Sequence, residues 1–463
     1  MTVINTFFNS ILFWSAWIII PVVMEIIPAI GSVVVLFRKK RRHKVYEMPK
    51  FAPEISIIIP VYNSADTLEN CLRSIYESDY PNDAMRIYLV NNEGTDESFK
   101  VFSECQKKYP ELLVQWMNAK QGKSKALNLA LFNSEGKYIV HIDSDGLLEK
   151  HALSNMVKRF EAEEDLECVT GTILTDPAQI EKYRFGMPRL FRKMEFMEYA
   201  QAFLAGRNYA AEKNAVYTLS GAFSAFRKDA VLKSQLYNSE TLAEDTQITF
   251  QMKYIQGMKV GICEDSIFLV DPIEDFNKLY TQRQRWQRGS LEVSTLFLKN
   301  DMSPLKMFTD ENVKTLVYDH TFAFPRMIWY MALLCLLVAN YAANAIIFAT
   351  GFIFSLYILM GILYFISTVG FLKDFPEIRR YYCKQWYVVF LLPFFNFAVF
   401  FIRFAGVINS IDTKSSWRTM NLTEEKNAFI DVVKEEWSPL ISFFSGIKNY
   451  VNGEVNGREQ SSL

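Results

Sequence analysis

The 463-residue sequence has no excess of charge of either sign. Its 50 Lys and Arg residues are matched by 51 Asp and Glu residues, so the net charge is −1 at pH 7. Nucleic-acid-binding proteins usually carry a clear basic excess, so this balance argues against that class. Charged residues make up 22% of the chain and hydrophobic residues 50%. This mixture is too apolar for an ordinary soluble protein and too polar for a protein that lies wholly in the membrane. It indicates a chain with both membrane segments and a soluble part.

Several common kinds of site are also missing. The six cysteines are scattered, with no C-x-x-C pair and no histidine at the spacing of metal ligands. This pattern argues against a disulfide framework and against a structural zinc site, and we expect reduced thiols in a cytosolic part. The sequence G-x-x-x-x-G-K followed by Ser or Thr is absent as well, which excludes a P-loop.

The N-terminal region predicts a membrane anchor. Residues 7–37 are almost wholly apolar, with Glu25 as their one charge, and a basic run follows at 38–44. About 20 apolar residues cross a bilayer, and Lys and Arg clusters favour the cytoplasmic side. A cleaved signal peptide would carry its basic residues before the apolar run. We therefore predict an uncleaved anchor over 1–37 and a basic juxtamembrane linker over 38–54, with the chain after it in the cytosol and near anionic lipid.

A second membrane region is predicted over 319–410, with about three segments. Two helices are expected between His320 and Leu372, then a short basic loop over 373–384, then an apolar stretch over 385–405. Three crossings would place the tail (411–463) outside, whereas an interfacial last segment would keep it inside, and the pattern leaves both open. Residues 276–318 are amphipathic and too charged to cross, so they are predicted to lie along the interface.

Between these regions, residues 55–275 alternate short apolar strands with helical stretches. Strands are predicted at 55–60, 86–91, 113–117 and 137–142, and helices at 64–78, 96–109 and 123–134, with Ser64 as the first helix's N-cap. This alternation predicts an α/β domain with a parallel sheet and helices on both faces. Ligands bind at the carboxyl ends of such strands, so the polar residues there are the candidate site.

Asp143-Ser144-Asp145 closes the fourth predicted strand. Side chains two apart in extended chain project to the same side, so both carboxylates can face one point. Two hard oxygen ligands with open positions suit Mg²⁺ or Mn²⁺ held jointly with phosphates. The alternative interpretation of this short pattern is a solvated turn.

Three further motifs carry candidate chemistry. Lys123 begins a predicted helix, where free N–H groups and the helix dipole attract a diphosphate, unless it is a solvated basic helix start. Glu244 and Asp245 are adjacent carboxylates, which suits a general base, unless they only cap a helix. Arg285 can bind phosphate and Trp286 can pack on a sugar ring, although both residue types are also common at membrane interfaces.

Together these motifs resemble glycosyltransferase family 2. They occur in the family's order, and the membrane segments are similar to its processive branch of cellulose, hyaluronan and poly-N-acetylglucosamine synthases. A looser similarity is to the exosortase-associated glycosyltransferases of Gram-positive bacteria. The resemblance covers about residues 55–290 by motif and extends to roughly 410 by membrane layout. It implies a GT-A type, Rossmann-like, mostly parallel sheet with transmembrane helices at both ends. The motifs are Pro60-Val61-Tyr62-Asn63, GTD at 94–96, GKSKALN at 122–128, DSD at 143–145, ED at 244–245 and QRQRW at 282–286.

The resemblance also implies residue roles. Asp245 would be the catalytic base, and Asp143 and Asp145 would hold the metal, Mg²⁺ or Mn²⁺. Ser220–Arg227 resembles the family's acceptor-side segment. The donor-binding residues would be Pro60, Tyr62, Asn63, Asn91, Asn92, Lys123, Asp143 and Arg285, and the acceptor-binding residues Glu244, Gln282 and Trp286.

One departure concerns the nucleotide. Where the family commonly has an Asp-rich segment whose Asp contacts uracil, this chain has Asn91 and Asn92. An amide still pairs with a uracil edge but supplies no negative charge. A UDP-sugar remains the expected donor.

The sequence thus predicts a membrane-bound inverting transferase that moves a sugar from a nucleotide-sugar to a growing surface polysaccharide. The expected donor is a UDP-sugar, with UDP-N-acetylglucosamine as a candidate, and the expected location is the cell membrane, multi-pass, with a cytoplasmic catalytic domain. The alternatives are a non-processive transferase to a polyprenyl-phosphate or other lipid-linked acceptor and a non-catalytic membrane scaffold. The expected partners are the donor, a glycan or lipid-linked acceptor, the bilayer and proteins of a surface polysaccharide system, without nucleic acid.

Overall fold

A computed structural model describes residues 18–19, 21–42, 46–238, 241, 243–298, 324–338, 343–412 and 421–427. A π-helical turn, Val22–Ile26, continues into helix α1, Ile27–Arg41. The last turn of α1 is basic, and cations are favoured at a helix C-terminus. Most of the predicted segment 1–37 before this helix lies outside the described residues.

The middle of the chain forms one eight-stranded sheet with the order β3-β2-β1-β4-β7-β6-β8-β5. Every residue of β1 is buried, as expected for a central strand covered on both faces. Four strand pairings are parallel and three are antiparallel, so the sheet is mixed. The strands are β1 (Ile55–Val61), β2 (Met85–Asn91), β3 (Leu113–Asn118), β4 (Tyr138–Ile142), β5 (Gly146–Leu148), β6 (Leu166–Thr175), β7 (Phe223–Arg227) and β8 (Lys259–Val270).

Helices cover both faces of this sheet, each over its own apolar cluster. The predicted parallel unit is confirmed from β1 to β4, while β7 enters antiparallel between β4 and β6. The helices of this unit are α2 (Leu68–Tyr76), α3 (Ser98–Lys108), α4 (Lys123–Asn133), α5 (Ala152–Ala162), α6 (Pro177–Lys182), α7 (Met187–Tyr199), α8 (Arg207–Glu212), α9 (Lys228–Leu232) and α10 (Glu244–Phe250), with π-helical turns at Ala200–Gly206 and Gln251–Ile255.

The prediction that Ser64 caps the first helix is wrong. The helix begins at Leu68, and its N-cap residue is Thr67. The Ser64 hydroxyl instead shares a 2.7 Å hydrogen bond with the hydroxyl of Ser144, between the two candidate aspartates. A tertiary partner has therefore replaced the local capping bond, and it ties the loop after β1 to the loop after β4.

After the sheet, the chain forms a long amphipathic helix and a group of apolar helices. Among the described residues, two helices are long and apolar enough to cross a membrane by length and composition, Ile346–Asp374 and Leu392–Ser410. The bounds of these elements are α11 (Phe276–Leu298), α12 (Phe324–Val338), α13 (Ala343–Phe371), α14 (Pro376–Lys384) and α15 (Leu392–Asp412), with 3₁₀ turns at Leu372–Asp374 and Trp386–Phe390.

The basic stretch predicted as a loop over 373–384 is mostly the helix α14. Pro376 occupies its first turn, where proline needs no N–H partner. Tyr382 is buried and stacks on Phe365 of α13 with ring centroids 4.8 Å apart. Packing of this aromatic residue stabilises a helix that its charged sequence did not indicate.

Helix α15 runs beside α11, contacts α7 near its start and contacts α11 near its end. Near its start, the Phe395 ring lies 5.7 Å from that of Phe191 in α7. Near its end, Asn409 Nδ2 donates to Gln284 Oε1 in α11 at 3.3 Å. The short helix at 422–427 joins the same cluster, since Glu425 accepts hydrogen bonds from Asn409 and Gln284.

Candidate active site

A cavity of about 780 Å³ opens at the carboxyl end of β4. Loops that follow parallel strands meet at this edge of a sheet, which explains why motifs distant in sequence converge here. The predicted residues that line it are Lys123, Asp143, Asp145, Glu244, Asp245, Gln282, Arg285 and Trp286. The predicted nucleotide-side residues are not in its lining and lie at the adjoining edge, in the last residues of β1 and β2 or directly after them: Pro60, Tyr62, Asn63, Asn91 and Asn92.

Lys123 joins the two acidic motifs. Its Nζ lies 2.7 Å from Asp143 Oδ1 and 3.4 Å from Glu244 Oε1. Burial lowers the pKa of Lys123, but the carboxylates of Asp143 and Glu244 outweigh that effect and raise it above the ordinary lysine value. The preceding Gly122 has φ +131°, a region that favours glycine, and donates its N–H to Asn92 Oδ1 at 2.6 Å. This turn fixes the start of α4 and with it the lysine.

Asp145 differs from Asp143 in its partners. Among the described residues, no side chain donates a hydrogen bond to Asp145, whereas Asp143 has the Lys123 ion pair. The Asp145 side chain is exposed to the cavity, but the protein atoms around it reduce its contact with water. This desolvation and the charge of Asp143 raise the pKa of Asp145 to about 6.

The two aspartates fit a divalent cation that is shared with a ligand. The described residues contain no group of three or more His, Cys, Asp or Glu placed to hold a metal. Two carboxylates alone leave most positions of an octahedral ion to phosphate and water oxygens, which is typical of Mg²⁺ and Mn²⁺ at nucleotide sites. Burial and the charge of Asp143 disfavour the ionised form of Asp145 and raise its pKa, and a bound cation would stabilise that form.

Asp245 lies in the first turn of α10 and faces the segment before β7. Its Oδ2 accepts the N–H of Gly221 at 3.1 Å, and its Oδ1 accepts the N–H of Thr246 at 2.7 Å. Burial, followed by the charge of Glu244, raises the pKa of Asp245. A carboxylate with a raised pKa at the wall of a cavity is suited to accept a proton. The structure thus brings the predicted base together with Gly221 of the predicted acceptor-side segment.

Asparagines occupy the ends of the first three strands. Asn91 Oδ1 accepts the N–H of Gly94 at 2.9 Å, and Asn91 Nδ2 donates to Asn118 Oδ1 at 3.1 Å. Asn63 has φ +49°, and its Oδ1 accepts the N–H of Thr95 at 2.8 Å. Asn118 was not among the predicted site residues. Its position at the end of β3, in register with Asn91, is the signal that would have found it.

Other members of these motifs have structural partners. Pro60 is buried within β1. Tyr62, which is 53% exposed, and Asn63 are the members of this motif whose side chains are exposed at the sheet edge. Asp96 of the GTD motif accepts the N–H of Ala65 at 2.8 Å and the hydroxyl of Ser98 at 2.6 Å. Asp96 therefore holds the loop after β2 against the loop after β1.

On the other side of the cavity, α11 carries Gln282, Arg285 and Trp286 into the lining. The guanidinium of Arg283 lies 4.3 Å from the centroid of the Trp286 ring. Its Nη2 also pairs with Glu198 Oε2 at 2.5 Å, and both side chains are only 3% exposed. A buried ion pair thus supports the indole, and Glu198 is a second residue that no motif indicated.

The comparisons with known proteins agree with this geometry. The model described as "Glycosyltransferase like family 2" matches residues 52–289. The chain belongs to glycosyltransferase family 2. It is a glycosyltransferase, and the alternative of a non-catalytic scaffold is not supported.

Curated relatives include two named poly-beta-1,6-N-acetyl-D-glucosamine synthase. The protein of Staphylococcus aureus strain MSSA476 is 24% identical over 291 residues, which cover 62% of this chain and 66% of that protein. The protein of Staphylococcus epidermidis is 23% identical over 290 residues with the same coverage. The match therefore spans slightly less than two thirds of the relatives' own length.

Among solved structures, the chain is similar to the mannosyltransferase PcManGT from Pyrobaculum calidifontis, determined in complex with GDP-Man and Mn²⁺. The TM-score is 0.54 at 19% identity, and the match covers 78% of this chain and 99% of that one. This likeness shows a shared GT-A type fold.

Proposed function

We propose that this glycosyltransferase is a membrane-bound, inverting enzyme that transfers a sugar from a UDP-sugar to a growing polysaccharide. The observation that carries the proposal is the extent of the cavity. Its lining continues from Lys123 and Asp245 to Glu25, Arg326 and Tyr357 on the apolar helices. A passage that carries charged and hydroxyl side chains from the candidate site into the membrane region suits a hydroxyl-rich chain that leaves through that region.

The far end of this passage carries a largely buried ion pair. Arg326 pairs with Glu25 across 301 positions of sequence, and the Tyr357 hydroxyl donates to Glu25 Oε2 at 2.8 Å. Ionisable residues inside a membrane are costly, so their presence there favours a functional role. Leu392, Phe397 and Phe400 also line this end of the cavity, so the preference for a glycan rests on the ion pair and the tyrosine hydroxyl rather than on the whole lining. This supports a glycan acceptor over the lipid-linked alternative.

The side chains support a direct displacement. Lys123 and Arg285 would bind the diphosphate, and the acceptor hydroxyl oxygen would attack the anomeric carbon as its bond to the diphosphate breaks. The hydroxyl proton passes to the Asp245 carboxylate. Attack from the face opposite the leaving group inverts the anomeric centre. A divalent cation bound by Asp143 and Asp145 would supply further neutralisation of the diphosphate charge.

The proposed topology places the catalytic domain and the tail on one side of the bilayer. Helices α12 and α13 and the segment ending in α1 would cross, with the basic end of α1 in the cytosol. Helix α15 would lie along the interface, because it contacts α7 near one end and α11 near the other. An apolar helix of 21 residues is about 30 Å long, so a crossing would carry its end away from α11.

The donor proposal depends on the asparagines at the strand ends. Their amides offer both donors and acceptors to a uracil edge. The names of the staphylococcal relatives favour N-acetylglucosamine as the sugar. Both points are proposals for this chain.

The test is release of nucleoside diphosphate by the purified full-length protein in detergent. UDP-, GDP- and dTDP-sugars would be supplied with Mn²⁺ or Mg²⁺, and the product would be sized. UDP release with a long product is the expected result. A single sugar added to a lipid acceptor would favour the lipid-linked alternative, and no release with any donor would contradict the proposal.

A further inference from the structure

Arg207 lines the same cavity and belongs to none of the motifs. It is the first residue of α8, directly after the π-helical turn Ala200–Gly206. Such turns are rare and occur frequently at functional sites. This irregular turn therefore lies directly before a residue that lines the candidate site.

Two contacts of Arg207, each continued by a second contact, locate it on the acceptor side. Its Nη1 donates to Thr170 Oγ1 at 3.0 Å, and the same oxygen accepts the N–H of Ser220 in the predicted acceptor-side segment. Its guanidinium lies 4.6 Å from the Phe203 ring centroid, and that ring meets Trp286 at 6.0 Å. Arg207 therefore connects to both predicted acceptor elements.

The guanidinium keeps hydrogen-bonding capacity for a ligand. Among the described residues, its hydrogen bond goes to Thr170, and no carboxylate lies within ion-pair distance. Asp245 is nevertheless close enough to act on its charge: burial lowers the pKa of Arg207 to about 10, and Asp245 opposes the shift. Arg207 stays protonated near neutral pH and has donors only, so it can bind only acceptor atoms of a ligand.

We propose that Arg207 binds oxygen atoms of the acceptor sugar and holds the reacting hydroxyl beside Asp245. This assignment rests on the proposed function, because it names a substrate contact of the same site. A charge-assisted hydrogen bond would contribute to acceptor affinity without touching the nucleotide.

The neighbouring residue fixes Arg207 in place. Asn208 is fully buried, and its Oδ1 accepts a hydrogen bond from Lys39 Nζ in α1 at 2.5 Å. Lys39 also pairs with Glu264 of β8 at 3.4 Å. Lys39 of α1 thus contacts both the sheet, through Glu264, and the residue after Arg207, which is Asn208.

The experiment measures binding and needs no turnover. A β-1,6-linked N-acetylglucosamine tetrasaccharide is titrated by calorimetry into full-length protein saturated with UDP and Mn²⁺. Variants R207M and R207K are compared with the wild type and with the control R86M. Arg86 pairs with Glu54 at 2.7 Å on the opposite edge of the sheet, near the start of β2.

The expected result for R207M is about tenfold to hundredfold weaker tetrasaccharide binding, the worth of one charged hydrogen bond. R207K should lose less affinity for the tetrasaccharide, and R86M should bind it as the wild type does. The UDP affinity should be unchanged in all four proteins. The assignment is overturned by tetrasaccharide binding that R207M leaves intact, by a wild type that does not bind it, or by parallel losses of UDP affinity in R207M and R207K. UDP release by the wild type is scored separately, so failure of the proposed function is distinguished from failure of this assignment.

Discussion

Lys123 is the cation around which the acidic side of the site is assembled, so its replacement by Met tests the electrostatics of that site. Its side chain is 23% exposed and its Asp143 partner 29%. Breaking a fully buried ion pair costs about 3–5 kcal/mol, whereas an exposed pair contributes about 0–1 kcal/mol. Between these limits, we expect K123M to lower the free energy of unfolding by about 2 kcal/mol near neutral pH.

The loss should depend on pH with a defined sign. Lys123 lowers the pKa values of Asp145 and Asp245, which burial and neighbouring carboxylates raise. Without the lysine both pKa values rise further above those of the unfolded chain, so the folded variant binds more protons. Its stability then increases as the pH falls from about 7.5 to about 5.5, and part of the deficit is recovered.

Thermal unfolding of the detergent-solubilised protein at both pH values measures this effect. For a chain of 463 residues, a deficit of about 2 kcal/mol corresponds to a midpoint about 2 °C lower at the higher pH. The matched control is K137M, since Lys137 pairs with Glu161 at 2.5 Å on the surface and should shift the midpoint by about 1 °C or less. An equal deficit at both pH values, or none at either, would refute the reasoning.

Further predictions concern the catalytic groups. D245N should reduce turnover by about 10²–10⁴-fold while UDP affinity is kept, and retained turnover would exclude Asp245 as the base. Since Asp245 must be ionised to accept a proton, the wild-type rate should fall on acidification at a pH above the ordinary Asp value, and a rate limb at or below that value would contradict its raised pKa. D145N should weaken Mn²⁺ binding in paramagnetic resonance titrations about tenfold or more, and chelation should remove UDP affinity; unchanged Mn²⁺ binding would sink the metal assignment. E198Q should weaken acceptor binding with UDP affinity kept, because it frees Arg283 from its place under Trp286, and an unaltered acceptor KM would show that the pair is only structural.

The first half of the sheet was predictable because each element carries its own signal. Strands β1, β2 and β4 are short apolar runs, and helices α2 and α3 each have one apolar face, so local pattern and tertiary position agree. Strand β7 has no such signal for its partner. Its insertion between β4 and β6 is decided by packing of Phe223 and Phe226 against residues distant in sequence.

The candidate site was predictable where chemistry and strand ends coincide. Asp143 and Lys123 follow strands or begin helices, so the topology brings them together. Arg207 and Glu198 lie within a helical stretch that reads as ordinary amphipathic sequence, and only the fold turns them toward the cavity or under Trp286. The Ser64 cap failed for the same reason, because a partner 80 positions away replaced the local one.

The bond between Lys39 and Asn208 has a consequence for how the enzyme depends on its lipid. Helix α1 would tilt to match the thickness of the hydrocarbon layer, at a cost of a fraction of a kcal/mol per ångström of mismatch. Since Lys39 holds Asn208, and Arg207 is its neighbour, a tilt of the helix would be transmitted to the side of the site where the acceptor binds. Acyl-chain length in reconstituted bilayers should therefore change the acceptor KM before it changes the affinity for UDP.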